Sequence, residues 1–534
     1  MARLAPLAVL LLALLSCGVG LAELPVQDRD EARFAQAARQ MAETGDLIDI
    51  RFLDQARHNK PALIYWFQTA ALWALNPSDQ TPIWVHRVPS YLAGALSALA
   101  LIWAATPIIG RRGAIIAGIM CATVYMLHAE ARTAKTDAAL LLSVILAMGA
   151  LARMWMGQTK GLWTAAIFWT AMAAGFLLKG PMVALPVAGA ALWCSVHARS
   201  LTWLKALKPL PGLAWFTLLS APWFIAITIA TDGAFWQSSL GNDLTDKITA
   251  TGEHAARPPG LYLLTTWMTF WPWTLLIPAA LIHAWRSRAT RETAFALGWL
   301  VPGWIVFEAV PVKLIHYTLP LYPALMILAA GALVILPRLR GIGGAVGAFG
   351  FLIGTTFFSF IMLRGPVEFG DGYDWPSLLG LAILVATSAL AVWALWGARI
   401  RTLIASLAAA GIAMGLTLTA ATLPAARDFW ISERLVAATG QHECLIGPIA
   451  LAGFQEPSAA FLFGGDVLIT DAQSALTHLA EGENRAAWLP TLDTDPGIEG
   501  VTAVTGTNFA NFRQVNVRLY VSPGIPAPAD PCPG

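Results

Sequence analysis

The chain has 534 residues, of which 57% are hydrophobic and only 12% charged, with a formal net charge of +2. Soluble globular proteins carry roughly a quarter charged residues, so a string of soluble domains is excluded, and the near-neutral charge gives no support to a nucleic-acid partner. In place of charge the sequence carries repeated apolar runs of about 17–25 residues, the length that crosses a hydrocarbon core. In lipid every backbone N–H and C=O must be paired within its own segment, so such runs are helices.

Residues 4–22 form the first run. They resemble a signal peptide, and Leu14-Leu15-Ser16-Cys17 loosely resembles a lipoprotein cleavage box. With many runs following, we read a retained first helix, and cleavage stays open. A polar stretch, 23–60, then holds a helical segment from Asp28 to Glu43, with acids at its start and an apolar stripe of Phe34, Ala37, Ala38 and Met41. Residues 61–76 are apolar but short and rich in aromatic side chains, which predicts an interfacial helix with Tyr65 and Trp66 shaping a lateral entrance for a lipid tail. Further spans are predicted over 86–108, 113–128, 138–156, 162–178, 182–198, 209–230, 262–284, 293–309, 317–336, 343–363, 376–397 and 402–422, thirteen with the first.

Alternate loops carry Arg111-Arg112, Lys160, Arg199 with Lys205 and Lys208, Arg286 with Arg288 and Arg291, Arg338 with Arg340, and Arg399 with Arg401, against one nearby acid, Glu292. The excess of Lys and Arg predicts that these loops are cytoplasmic. The N-terminus then lies inside and residues 424–534 outside. That last stretch alternates short apolar runs (Cys444–Ala452, Ala459–Phe463, Val467–Thr470, Val515–Val521) with Gly, Pro and Asp breaks, and has one amphipathic segment, Ala472–Glu481. It predicts a small α/β domain. The five cysteines have no metal-ligand spacing. Cys17, Cys121 and Cys194 read as small core residues, and a Cys444–Cys532 disulfide is left open.

A charge at mid-membrane costs about 2.5–3.5 kcal/mol, so charges gathered at the outer ends of spans are informative. Asp30, Glu31, Arg33 and Lys60 lie in the first outer loop, Asp137 and Lys179 at the ends of spans, and Arg257, Lys313 and Tyr317 just before later spans. Each has a plain structural reading. Asp137, Asp30 and Glu31 suit first helical turns, Lys179 before Gly180-Pro181 suits a snorkelling cation, and Arg257 suits an ordinary loop. Together, acids facing several bases at one membrane surface suit a site for a phosphorylated lipid, with the bases on the phosphate and one carboxylate as proton acceptor.

The order and wording of these segments carry a resemblance. They run Arg29-Asp30-Glu31-Ala32-Arg33-Phe34-Ala35, Glu43-Thr44-Gly45-Asp46, Lys60-Pro61-Ala62-Leu63-Ile64-Tyr65-Trp66, Ala131-Arg132…Asp137, Leu178-Lys179-Gly180-Pro181, Arg257-Pro258-Pro259 and Lys313…His316-Tyr317…Leu319-Pro320-Leu321-Tyr322-Pro323, with Glu456-Pro457-Ser458…Phe461 beyond. The chain resembles the C-type, lipid-linked-sugar glycosyltransferases of the bacterial aminoarabinose and galacturonic acid–lipid A transferase family, related to protein O-mannosyltransferases. The resemblance runs from about residue 24 to 325 and returns weakly near 456–470.

The resemblance implies a polytopic α-helical protein of the bacterial inner membrane. Its parts would be a first helix (1–22), a catalytic periplasmic loop with juxtamembrane helices (23–85), a multi-span region (86–423) and a periplasmic α/β domain (424–534). It implies an inverting transfer of sugar from a polyprenyl phosphate to lipid A or lipopolysaccharide core, with Asp30 and Asp137 as catalytic acids. Arg33, Lys60, Arg257 and Tyr317 would bind the donor phosphate, with Glu31, Lys179 and Lys313 as secondary candidates. No cofactor is required by this chemistry, and divalent-metal dependence stays open. Asn59 stands where the aminoarabinose branch has Glu, and Ala62 where a second proline is common. Neither a metal at that point nor the aminoarabinose specificity therefore follows. Transfer to protein or another envelope glycan is the nearest alternative, and a transporter, flippase or non-enzymatic envelope scaffold are the alternatives of another class.

Overall fold

The computed structural model describes residues 4–75, 82–159, 161–245, 256–336, 340–442, 445, 447–491, 500–509 and 511–522. Lys160, Arg338, Cys444 and Cys532 lie outside the described residues, and with them the disulfide expectation and part of the cytoplasmic charge pattern.

The protein is mostly helical. Among the described residues, seven helical segments are long and apolar enough to cross a membrane: Ile83–Thr123, Asp137–Trp155, Leu162–Ala198, Pro209–Ala230, Ile342–Phe369, Trp375–Trp396 and Ile400–Ala425. Of the remaining predicted spans, 293–309 falls on an unbroken 19-residue helix, Arg291–Ala309, that carries Arg291, Glu292 and Glu308, and the others fall on shorter or interrupted helices. α1 (Ala5–Gly18) places Val9 and Ala13 in the main core. The predicted span 262–284 is divided into Leu261–Thr269, a 3₁₀ turn at Trp273–Leu276, and Ile277–Ser287, while 317–336 reduces to a turn at Leu319–Leu321 followed by Tyr322–Ala332.

Three helices frame the polar stretch that follows α1. α2 (Asp30–Thr44) begins with two acids, which suit the positive end of its dipole, and ends at Gly45, whose φ of 73° is the left-handed C-terminal conformation that glycine takes without strain. Its predicted stripe is buried: Phe34, Ala37, Ala38 and Met41 pack with Ile50, Ala62, Ile64 and Tyr65. A two-strand hairpin follows, β1 (Arg51–Phe52) against β2 (Gln55–Ala56). The short aromatic run forms α3 (Leu63–Leu75). α4 (Ile83–Thr123) is two helices in one, broken at Gly110 with φ of 69°, just before Arg111-Arg112.

Near the C-terminus a five-stranded mixed sheet forms from β3 (Ile449–Leu451), β4 (Val467–Ile469), β5 (Ala486–Pro490), β6 (Gly500–Thr507) and β7 (Gln514–Val521), in the order β4-β3-β5-β7-β6. β3 pairs in parallel with β4 and β5, whereas β7 runs antiparallel to β5 and β6. Trp488, Leu451, Val517 and Leu519 form its core. The apolar run Ala459–Phe463 lies on a helix, Pro457–Leu462, because Pro457 opens a first helical turn readily. That helix seats the sheet on α2. Arg39 donates to the Phe461 carbonyl at 2.8 Å and lays its guanidinium 4.2 Å from the Phe461 ring centre, while Ser458 donates to Asp28.

Candidate functional site

Five segments separated widely in sequence meet beside the first turn of α2. They are that turn itself, residues 57–60 after the hairpin, residues 130–137 between α5 (Tyr125–Ala131) and α6 (Asp137–Trp155), the end of α7 (Leu162–Lys179), and residues 310–318. Asp30 stands at the centre. Its carboxylate is 58% exposed and 4.0 Å from Arg57, whose own side chain is only 9% exposed. Arg57 cannot swing freely, because its Nε donates to the Tyr65 hydroxyl at 3.2 Å and its guanidinium lies over the Phe34 ring. The walls around Asp30 disfavour its charge by desolvation, but Lys135, Arg57 and Lys60 together outweigh that and hold its pKa below the ordinary carboxylate value. An accessible carboxylate is thus kept ionised among cations.

A second cluster adjoins it. Lys179 donates to Asp137 at 2.6 Å, with its ammonium 5.3 Å from the Tyr317 ring centre. His316 lies 3.8 Å from Asp137 and 3.9 Å from Glu130. Burial, aided by Lys135 and opposed by Asp137, pushes its imidazole down to about 3, so the ring is neutral at physiological pH. Glu130 forms an ion pair with Lys135 at 2.9 Å. Burial pushes the Glu130 carboxyl up and Lys135 partly restrains it.

The expected residues therefore separate. Asp30, Lys60, Asp137, Lys179 and Tyr317 share the charged cluster. Arg257 is exposed, and its loop is tied to residues 310–317: Arg257 N–H donates to the Pro311 carbonyl at 2.9 Å, and the buried Lys313 donates to the carbonyls of Val310 and Arg257 at 2.6 and 3.1 Å. Lys313 is thus a brace between two loops. Glu31 is a brace as well. Both of its oxygens accept from Arg87 at 2.8 Å, and they also accept from the backbone N–H of Gln27 and Ala134 at 2.9 Å, with both charged side chains fully buried. Arg33 lines a separate polar cleft against the C-terminal sheet. Tyr65 is fully buried beside Arg57 and so does not line an open lipid entrance, whereas Trp66 is partly exposed and donates to the Leu47 carbonyl.

Sequence reasoning missed Arg57, Glu130, Lys135 and His316. Residues 130–137 did carry a signal: two acids and two bases crowd one short segment of a charge-poor chain. The fourth charge there, Arg132, is buried and caps the carbonyls of Val19, His128 and Ser16. Among the described residues, no group of three His, Cys, Asp or Glu side chains is placed to hold a metal ion.

Comparison with known proteins bears on the family and the fold. Residues 59–225 match the family model described as dolichyl-phosphate-mannose-protein mannosyltransferase. The chain is 28% identical over 385 residues to the undecaprenyl phosphate-alpha-4-amino-4-deoxy-L-arabinose arabinosyl transferase of Edwardsiella ictaluri, covering 69% of this chain and 67% of that protein. It is 29% identical over 320 residues to the enzyme of the same name from Yersinia pestis, covering 58% of this chain and 56% of that one. The chain thus spans little more than half the length of the Yersinia relative. Crystal structures of ArnT from Cupriavidus metallidurans share the fold. The apo form superposes with a TM-score of 0.74 at 19% identity, and the form bound to undecaprenyl phosphate with 0.74 at 20%, each covering 96% of this chain and 97% of the other. The resemblance to lipid-linked-sugar transferases is borne out.

Proposed function

We propose that this multi-pass membrane protein is an inverting glycosyltransferase that moves a sugar from a polyprenyl phosphate to an acceptor outside the bacterial inner membrane, with lipid A or lipopolysaccharide core as that acceptor. One observation carries the reading: Asp30 is an accessible, ionised carboxylate ringed by Arg57, Lys60 and Lys135 at one level of the fold. Such a ring suits both a leaving phosphate and a proton acceptor. The relatives from Edwardsiella ictaluri and Yersinia pestis, both undecaprenyl phosphate-alpha-4-amino-4-deoxy-L-arabinose arabinosyl transferases, support it.

The step balances simply. The Asp30 carboxylate accepts the proton of the acceptor hydroxyl as that oxygen forms its bond to the anomeric carbon. The bond from that carbon to the carrier phosphate breaks on the opposite face, and polyprenyl phosphate leaves with the electron pair. Lys60 and Arg257 meet its growing charge. Asp137 holds Lys179 and Tyr317 toward the donor as the second acid of the site. Where the acceptor group is a phosphate, Asp30 orients it instead. No nucleotide takes part.

In the topology that goes with this function, thirteen helical segments span the membrane. The N-terminus is cytoplasmic, and the charged cluster and a C-terminal α/β domain are periplasmic. The alternating Lys and Arg loops support that orientation. The match to a protein mannosyltransferase model keeps protein hydroxyls as a second acceptor class.

Lys60→Ala and Arg257→Ala each remove a charged contact worth about 1.5–3 kcal/mol. Undecaprenyl phosphate then binds roughly 10- to 100-fold more weakly to each variant, measured by titration of the purified chain in detergent. Unchanged affinity in both removes these residues from the phosphate site.

A further inference from the structure

We infer that a second anion site lies between the first turn of α2 and the C-terminal sheet, and that it takes a phosphoryl group of the acceptor. This assignment rests on the glycosyl transfer proposed above and extends it to how the acceptor is held. The cleft there encloses about 560 Å³ and is walled by Arg29 and Arg33 of α2's start, the segment Gly453–Pro457, and Asn508, Asn511, Arg513 and Gln514 around the turn between β6 and β7. A pocket of that size holds a sugar phosphate headgroup.

The chemistry of the wall is one-sided. Three guanidinium groups and one carboxylate, Glu456, line it, with the Asp28 carboxyl close behind Glu456 and Arg29, and Glu456 already accepts from Asn508 at 2.8 Å. Among the described residues, neither Arg33 nor Arg513 forms an ion pair. Arginine's planar fork matches phosphate oxygens two at a time, and three such forks suit a dianion better than one carboxylate. The Asn511 amide adds a neutral donor, while the amides of Asn508 and Gln514 donate to Glu456 and Thr507 and fix the wall itself.

The position matters as much as the charge. Arg29 precedes Asp30 and Arg33 follows it by one helical turn, so the cleft and the charged cluster share one turn of α2. An anion held here therefore lies beside the same helical turn as the Asp30 carboxylate. The helix Pro457–Leu462 also ties the wall to α2 through Arg39 and to the residues before α2 through the Ser458–Asp28 contact. An acceptor gripped by its phosphate in this cleft extends its reacting oxygen toward Asp30, while the donor phosphate occupies the cations on the other side.

Equilibrium binding to the purified full chain in detergent tests this without turnover, so it holds or fails separately from the transfer assay. The probes are bisphosphorylated lipid A, the same lipid dephosphorylated, undecaprenyl phosphate and inorganic phosphate. Wild type binds the bisphosphorylated lipid at least tenfold tighter than the dephosphorylated one. The double variant Arg29→Gln/Arg513→Gln loses that difference and keeps its affinity for undecaprenyl phosphate. In turnover the KM for the acceptor rises while kcat stays within about twofold. Arg513→Gln alone, at an exposed position, moves in the same direction should the pair fail to fold. Undiminished lipid A binding by the variants overturns the site. So does a loss that falls on undecaprenyl phosphate instead, which gives the cleft to the carrier. Inorganic phosphate binding as tightly as lipid A overturns the acceptor assignment, as does wild-type indifference to the lipid's phosphates.

Discussion

Asp30→Asn lowers the rate of sugar transfer by about 10²- to 10⁴-fold, the contribution of a positioned general base, and leaves the chain folded and inserted. The amide keeps the shape of the carboxylate and loses only the capacity to take a proton. Stability is little affected, because Asp30 is 58% exposed and its contact with Arg57 is a long 4.0 Å. The pH dependence follows in sign. The cations around Asp30 hold its pKa below the ordinary carboxylate value, so its base form and the modest stability tied to its charge persist at neutral pH. Both are lost only as pH falls through that lowered value. Turnover of the purified variant with a polyprenyl-phosphate sugar reads the effect directly. Activity within a few-fold of wild type removes Asp30 as the base.

Glu31→Ala produces the largest loss of stability, about 3–5 kcal/mol, the usual consequence of stranding one partner of a buried ion pair. Arg87 is fully buried, and besides Glu31 it donates to the carbonyls of Leu21, Leu24 and Pro25. Removing the carboxylate leaves this guanidinium charge uncompensated and frees the backbone N–H of Gln27 and Ala134. The turn that carries Asp30 then loses its tie to α4 and to residue 134. Thermal unfolding in detergent shows a lowered midpoint, and activity falls with the folded fraction. A midpoint equal to wild type with activity abolished would return Glu31 to the catalytic residues.

Asp30 and Glu31 show where sequence reading stops. Both are first-turn acids in one motif, and helical rotation by 3.6 residues per turn sends them to different faces. Only the fold reveals that one meets a buried arginine and the other an open cluster. The long apolar helices were readable because hydropathy alone dictates them, down to the break before Arg111. The cluster was half readable: Lys60, Asp137 and Lys179 stand out as lone charges at the ends of apolar runs. Arg57 and His316 do not, since nothing local marks a polar residue that acts through partners far along the chain. Near the C-terminus, β6 was missed because Gly500–Thr507 alternates small residues with little apolar contrast, and its strand character comes from pairing with β7. The cleft containing Arg33 joins segments more than 400 residues apart, which no spacing encodes.

Mass spectrometry of lipid A and other envelope glycans from cells lacking the gene, complemented with wild type or with Asp30→Asn, tests the central claim most directly. The account predicts a sugar present on the acceptor only with wild type and absent from both other strains. Identical masses in all three strains, or a sugar restored by the Asp30→Asn chain, would contradict it.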